Sequence, residues 1–152
     1  MKRQYFGTDG VRGEFGSAIM NPAFAWRLGV AAGRWLKQEG LALPVVLIGR
    51  DTRFSGPILE NALAAGLESS GAIVRSLGIV PTPAVSLAVQ HFGAALGVVV
   101  TASHNPARDN GIKFFSATGT KLDDAIGLTV ESLLPGDAEV PAKEPAPVRP
   151  VD

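Results

Sequence analysis

Apolar residues recur at helical spacing across residues 22–40, with Phe24, Leu28, Ala31, Ala32 and Trp35 on one face. Asn21 followed by Pro22 marks where that helix starts, and Gly40 where it stops. A short apolar run at 45–48 then reads as a strand, left through Gly49-Arg50-Asp51. Pro57 opens a second helix with a Leu59, Ala62, Leu63, Leu67 stripe, and Gly71 ends it. Residues 72–77 form a second strand, and Pro81-Thr82-Pro83 leads into a third helix that runs to about Phe92. Further strands are expected at 96–100 and 112–115. Asp123 or Asp124 caps a last helix that turns Ile126, Val130 and Leu133 inward. Strands alternating with helices predict an α/β chain of three layers, α/β/α, with helices on both faces of the sheet. The link from 101 to 111 is polar and holds Pro106, so it offers no crossover helix. The last two strands are therefore expected to be antiparallel, which makes the four-stranded sheet mostly parallel but mixed.

Composition changes this picture in three places. The chain has 152 residues, 46% of them apolar, enough for one domain with a proper core. Its formal net charge is zero, which argues against a nucleic-acid partner. There is no cysteine, so disulfides and thiolate metal sites are excluded; a cytoplasmic address fits. The first ten residues carry no apolar export segment, and no apolar run is long enough to span a bilayer, so no membrane partner is expected. Residues 1–134 read as the folded domain. Residues 135–152 hold Pro135, Pro141, Pro145, Pro147 and Pro150 and read as a proline-rich linker or disordered tail, with further domains expected beyond it.

The candidate chemistry lies where the 96–100 strand ends. Thr101-Ala102-Ser103-His104-Asn105-Pro106 is a polar turn, and Arg108 and Lys113 follow within ten residues of Ser103. Open α/β sheets place ligands at that edge. A hydroxyl among cations suits phosphate chemistry better than acyl transfer. Serine at a strand end is also an ordinary turn residue. A Ser-His hydrolase is disfavoured, because adjacent residues in extended chain point to opposite sides and the G-x-S-x-G pattern is missing. Lys113 is either a surface lysine or a proton-transfer group reaching the loop. Gly7-Thr8-Asp9-Gly10-Val11-Arg12-Gly13 is a plain turn or an anion cradle, to which the Arg12 fork would add. In Gly49-Arg50-Asp51-Thr52-Arg53-Phe54-Ser55-Gly56 the helix start favours anions, while Arg50 and Asp51 are expected to form a structural ion pair.

Taken together, these segments resemble the α-D-phosphohexomutases. Phe6-Gly7-Thr8-Asp9-Gly10-Val11-Arg12-Gly13 is similar to the opening of their bacterial phosphoglucosamine mutase branch. Gly49-Arg50-Asp51-Thr52-Arg53 and Pro81-Thr82-Pro83 stand at the expected places, and Thr101 to Pro106 with Asp109 to Phe114 matches the phosphoserine signature. The resemblance covers about residues 5–134, one domain of the family's four. It implies a phosphorylated Ser103 that binds Mg²⁺ through its phosphate, the remaining ligands coming from another domain. Lys113 is implied as general acid–base, with Arg12, His104 and Asn105 at substrate- or phosphate-binding positions. The implied reaction interconverts glucosamine 6-phosphate and glucosamine 1-phosphate through a bisphosphorylated sugar, which also serves as activator and leads to cell-wall precursors. The implied partner is a sugar phosphate, and a homodimer of the full-length enzyme stays open. A phosphomannomutase or phosphoglucomutase first domain, or a non-catalytic anion-binding module, are the alternatives. On any mutase reading the chain alone is expected to be inactive.

Overall fold

A computed structural model describes residues 4–7 and 10–151; Thr8 and Asp9 of the glycine-rich loop lie outside the described residues. In chain order the elements are β1 (Val11–Glu14), α1 (Pro22–Gln38), β2 (Val45–Arg50), α2 (Gly56–Ser69), β3 (Ile73–Ile79), α3 (Thr82–Phe92), β4 (Leu96–Val100), β5 (Asp109–Ser116) and α4 (Asp124–Ser132). The sheet has five strands in the order β1-β5-β4-β2-β3. β2 runs parallel to β3 and β4, whereas β5 is antiparallel to both β4 and β1. Four strands thus share one direction and β5 opposes them. The expectation of four strands is corrected to five, because β1 reads Val-Arg-Gly-Glu and has no apolar alternation to announce it. Its strand character comes from pairing Val11 through Glu14 with Ile112 through Asp109. The same pairing starts β5 at Asp109, three residues earlier than its apolar run suggests.

The α1 signals act as expected. Asn21 Oδ1 accepts the Phe24 N–H at 2.8 Å, and Pro22 occupies the first turn, where its missing donor costs nothing. Side chains from α1, α2 and α4 pack with Val46, Ile48, Val98, Val100, Ile112 and Phe114 into the main core on one sheet face. On the other face α3 places Val89 against Leu47 and Ala94. Three layers result, α/β/α, as the periodicity predicts. Within the main core α1 and α2 touch backbone to backbone: a Cβ on Gly29 would lie 2.2 Å from the Leu63 carbonyl oxygen, and one on Gly66 2.1 Å from that of Trp26.

Residues 4–6 and the segment past α4 are both tied to the domain. Glu131 accepts the backbone N–H groups of Gln4, Tyr5 and Phe6 at 2.7, 2.9 and 2.7 Å, which fixes the approach to the glycine-rich loop. Past α4, Arg27 donates to the Pro135 carbonyl and pairs with Asp137. The proline-rich segment then returns to the outer edge of β3. There the Ser76 N–H donates to the Arg149 carbonyl at 2.7 Å, and the Val151 N–H to that of Ser76 at 2.9 Å.

Arg50, at the end of β2, does not pair with Asp51 as expected. It donates to Glu60 Oε1 at 2.7 Å, and the Ser76 hydroxyl donates to Glu60 Oε2 at 2.7 Å. Glu60 is almost fully buried, and burial pushes its carboxyl above the usual carboxylate range; the Ser76 hydrogen bond and the Arg50 charge pull it back. Arg50→Met should therefore cost about 3 kcal/mol near neutral pH by stranding a buried charge. A raised folded-state value makes the neutral acid's contribution complete below the unfolded-state value of about 4.3 and lost as pH climbs through the folded one. The variant should thus be hurt less at about pH 5 than at about pH 8, a difference that urea unfolding at the two values would measure. An equal loss at both would exclude Glu60 as its cause.

Candidate active site

Because four strands point one way, the carboxyl ends of β1, β2 and β4 meet the start of β5 at a single sheet edge. The loop from Thr101 to Arg108 crosses that edge. Ser103 sits on it, exposed, with φ of 56°, and is the only non-glycine among the described residues in the left-handed region. That conformation costs a residue with a Cβ on the order of 1–2 kcal/mol. Such strain persists only where the surroundings impose it.

Here they do. Thr101 Oγ1 accepts the Ser103 N–H at 3.0 Å and donates to Asp51 Oδ2 at 2.6 Å. Asp51 also takes the Arg53 N–H and Nε, each at 3.1 Å. The Arg53 guanidinium reaches across to the carbonyls of Ser103 and Asn105 at 2.9 and 3.0 Å, and to those of Pro106 and Asp109 at 2.6 and 3.2 Å. Asn110, fully buried, donates to Ser55 Oγ at the start of α2 and accepts the Gly111 N–H, which locks the return into β5. Ser55, just before α2, makes no side-chain cap bond, and its hydroxyl serves as the acceptor for Asn110.

Of the residues singled out from sequence, Ser103, His104 and Asn105 share this loop. His104 is exposed. Asn105 is half-buried, and its Nδ2 lies 3.3 Å from Asp109 Oδ2, a bond within the loop. Arg12 lies opposite Gly111, and the Thr101 N–H bonds the Gly111 carbonyl from the other side. A Cβ at 111 would stand 2.6 Å from the Thr101 oxygen and 3.0 Å from Arg12 Cγ, so the glycine gives Arg12 room beside the serine loop. Arg12 Nε is buried and has no hydrogen-bond partner among the described residues. Lys113 is two residues further along β5 on the same face as Gly111 and pairs with Val99. It is half-buried and lines a cavity of about 100 Å³ with Phe6, Gly10, Lys121 and Asp124. Arg12 and Lys113 lie on the face where α3 covers β2 and β4.

Arg53, Asp51 and Thr101 were not singled out as functional from the sequence. They stand within segments that resemble the family, but their role as supports becomes readable only once β4 is known to be the neighbour of β2. For Mg²⁺ the donor set does not suffice. Among the described residues no group of three or more His, Asp or Glu could hold a metal. The two carboxylates beside the loop, Asp51 and Asp109, are bonded to Arg53 and Thr101 and to Asn105 respectively. The described residues on their own do not build a magnesium site.

Residues 3–139 match the family model "Phosphoglucomutase/phosphomannomutase, alpha/beta/alpha domain I". The chain belongs to the phosphoglucomutase/phosphomannomutase family. Among curated relatives, a phosphoglucosamine mutase of Thioalkalivibrio sulfidiphilus is 54% identical over 134 residues, 88% of this chain and 29% of its own length. Another, from Bordetella parapertussis, is 53% identical over 88% of this chain and 31% of its own length. The chain thus spans under a third of these proteins. A crystal structure of a phosphomannomutase candidate from Thermus thermophilus superposes over 99% of this chain and 33% of that one, with a TM-score of 0.85 and 38% identity. A family protein from Burkholderia thailandensis gives a TM-score of 0.72 at 28% identity, again over 99% of this chain and 33% of its own.

Proposed function

We propose that this chain is the first domain of a phosphoglucosamine mutase and that Ser103 carries the phosphoryl group the enzyme exchanges with its sugar. The observation that carries this reading is the strained, exposed serine on a loop tied at both ends. A phosphoserine asks for an outward hydroxyl and cationic donors rather than for a partner base. In the forward direction the free hydroxyl at C1 of glucosamine 6-phosphate attacks the phosphorus on Ser103. The new P–O bond forms as the bond to Ser103 Oγ breaks, Lys113 takes up the hydroxyl proton, and a 1,6-bisphosphate results. After the sugar turns round, Ser103 Oγ attacks the phosphorus at C6. The 6-oxygen leaves with a proton from Lys113, and glucosamine 1-phosphate departs. On this reading Arg12 and His104 hold phosphate oxygens during both transfers. Magnesium would be held through the phosphoserine and residues outside this chain, and it would offset phosphate charge. The cytoplasm, with its sugar phosphates, is the compartment this chemistry needs.

The names of the relatives more than half identical to this chain favour glucosamine over other sugars. The Thermus neighbour favours mannose as the second reading. Mass spectrometry of the full-length protein should find phosphate on Ser103. Side-by-side assays with glucosamine, mannose and glucose phosphates should give glucosamine the highest kcat/KM. Absence of phosphate on Ser103 after incubation with a sugar bisphosphate would refute the phosphoserine; a preference for mannose would move the substrate and keep the chemistry. The 152-residue chain by itself is expected to fold and to show no measurable turnover in the same assay. Ready turnover would mean that the missing parts are dispensable.

A further inference from the structure

We infer that Arg53 is the positioning residue that sets the geometry of Ser103, an inference that rests on the phosphoserine reading above. Each of its three guanidinium nitrogens is committed. Nε bonds Asp51, Nη1 the carbonyls of Pro106 and Asp109, and Nη2 those of Ser103 and Asn105. The side chain is only 9% exposed. Between Thr101 and Asp109 the loop's own backbone makes just two hydrogen bonds, Asn105 N–H to Ala102 and Asp109 N–H to Pro106. Its shape is therefore imposed from outside, and the largest outside contribution is one planar cation gathering four carbonyl oxygens.

That arrangement has a directional consequence. A trans peptide points its C=O and N–H in opposite directions. Fixing the Ser103 carbonyl on Arg53 turns the His104 N–H away from the guanidinium, and fixing the Pro106 carbonyl does the same for the Ala107 N–H. Arg53 thus governs the left-handed turn at Ser103 and the orientation of the amide that follows it, without being directed at the hydroxyl. Asp51 holds both ends of the device, bonding Arg53 on one side and, through Thr101, the Ser103 N–H on the other. Lysine could not replace the arginine. Its three donors spread from one point, and they cannot serve four carbonyls and a carboxylate set in a fork.

The test uses the full-length mutase that carries this chain as its first domain. Arg53→Ala should lower kcat about 100-fold, the scale on which small misplacements of a reacting group act. KM for the sugar phosphate should change less than kcat, because Arg53 itself is not directed at the substrate. Arg53→Lys should lie between the two enzymes. Millimolar guanidinium ion should restore part of the Arg53→Ala rate and none of the rate of Ser103→Ala. Amides at 103–109 should exchange faster with solvent in the variant, while those of β2 and β4 keep their protection. Should the alanine variant fail to fold, the lysine variant decides by the same kcat-against-KM split. A wild-type kcat in either folded variant, or a loss seen only in KM, would overturn the role of Arg53. If Ser103→Ala is itself active, it is the phosphoserine reading that fails instead.

Discussion

Replacing Ser103 with alanine is expected to lower turnover of the full-length enzyme by about 10³-fold or more, the scale of losing a covalent nucleophile. The fold should survive. The side chain is exposed, and among the described residues no hydrogen bond of its hydroxyl contributes to the loop; the bonds that shape the turn use the backbone of residue 103. Alanine keeps the Cβ and therefore the strain of a positive φ. Ser103→Gly separates the two roles. Glycine relieves about 1–2 kcal/mol of strain but gives back about 0.4–1 kcal/mol through a freer unfolded chain. It should be at least as stable as alanine and equally inactive. Thermal unfolding, a coupled assay and intact-mass measurement after exposure to a sugar bisphosphate would check all three statements. Full activity in either variant would end the assignment.

The largest stability effect is expected at the α1–α2 contact. Helix propensity alone says that Gly66→Ala should gain close to 1 kcal/mol. Sterics oppose this and win, because the new Cβ would lie 2.1 Å from the Trp26 oxygen and 2.9 Å from the Val30 nitrogen, both backbone. Neither atom can swing aside as a flexible side chain would, so the helices must separate. Gly29 makes the reciprocal approach to the Leu63 oxygen and the Leu67 nitrogen, so separation opens both contacts together. The net loss should be about 3 kcal/mol or more, at the upper end of overpacking costs. Urea denaturation of the 152-residue chain would measure it. A variant as stable as the parent would mean that the helices do not approach this closely.

Much of this architecture could be read in advance wherever an element carries its own signal. The α1 cap and the bounds of β4, Leu96–Val100, follow from local residue choice, and the polar link after β4 correctly announced an antiparallel partner. β1 could not be read, since four residues with one buried apolar side chain become a strand only by pairing with β5. The site divides along the same line. Ser103 was visible as a hydroxyl at a strand end among cations. The support beneath it was not, because Arg53 finds its acceptors about fifty residues away, across the β2–β4 neighbourhood. Charge pairing misled for a similar reason. Arg50 and Asp51 are adjacent in sequence, yet one side chain goes to α2 and the other to the serine loop.

The Glu131 clamp on the backbone of residues 4–6, together with the β1–β5 ladder, bears on how the domain is made. A polypeptide leaves the ribosome from its N-terminal side, but residues 4–6 acquire their Glu131 partner only after the roughly 125 residues between them have emerged. Helices α1 and α2 can assemble early, whereas β1 waits for β5 and residues 4–6 for Glu131 of α4. Residues 4–6 thus close after the helices they precede, and residues 149–151 take their places on β3 later still.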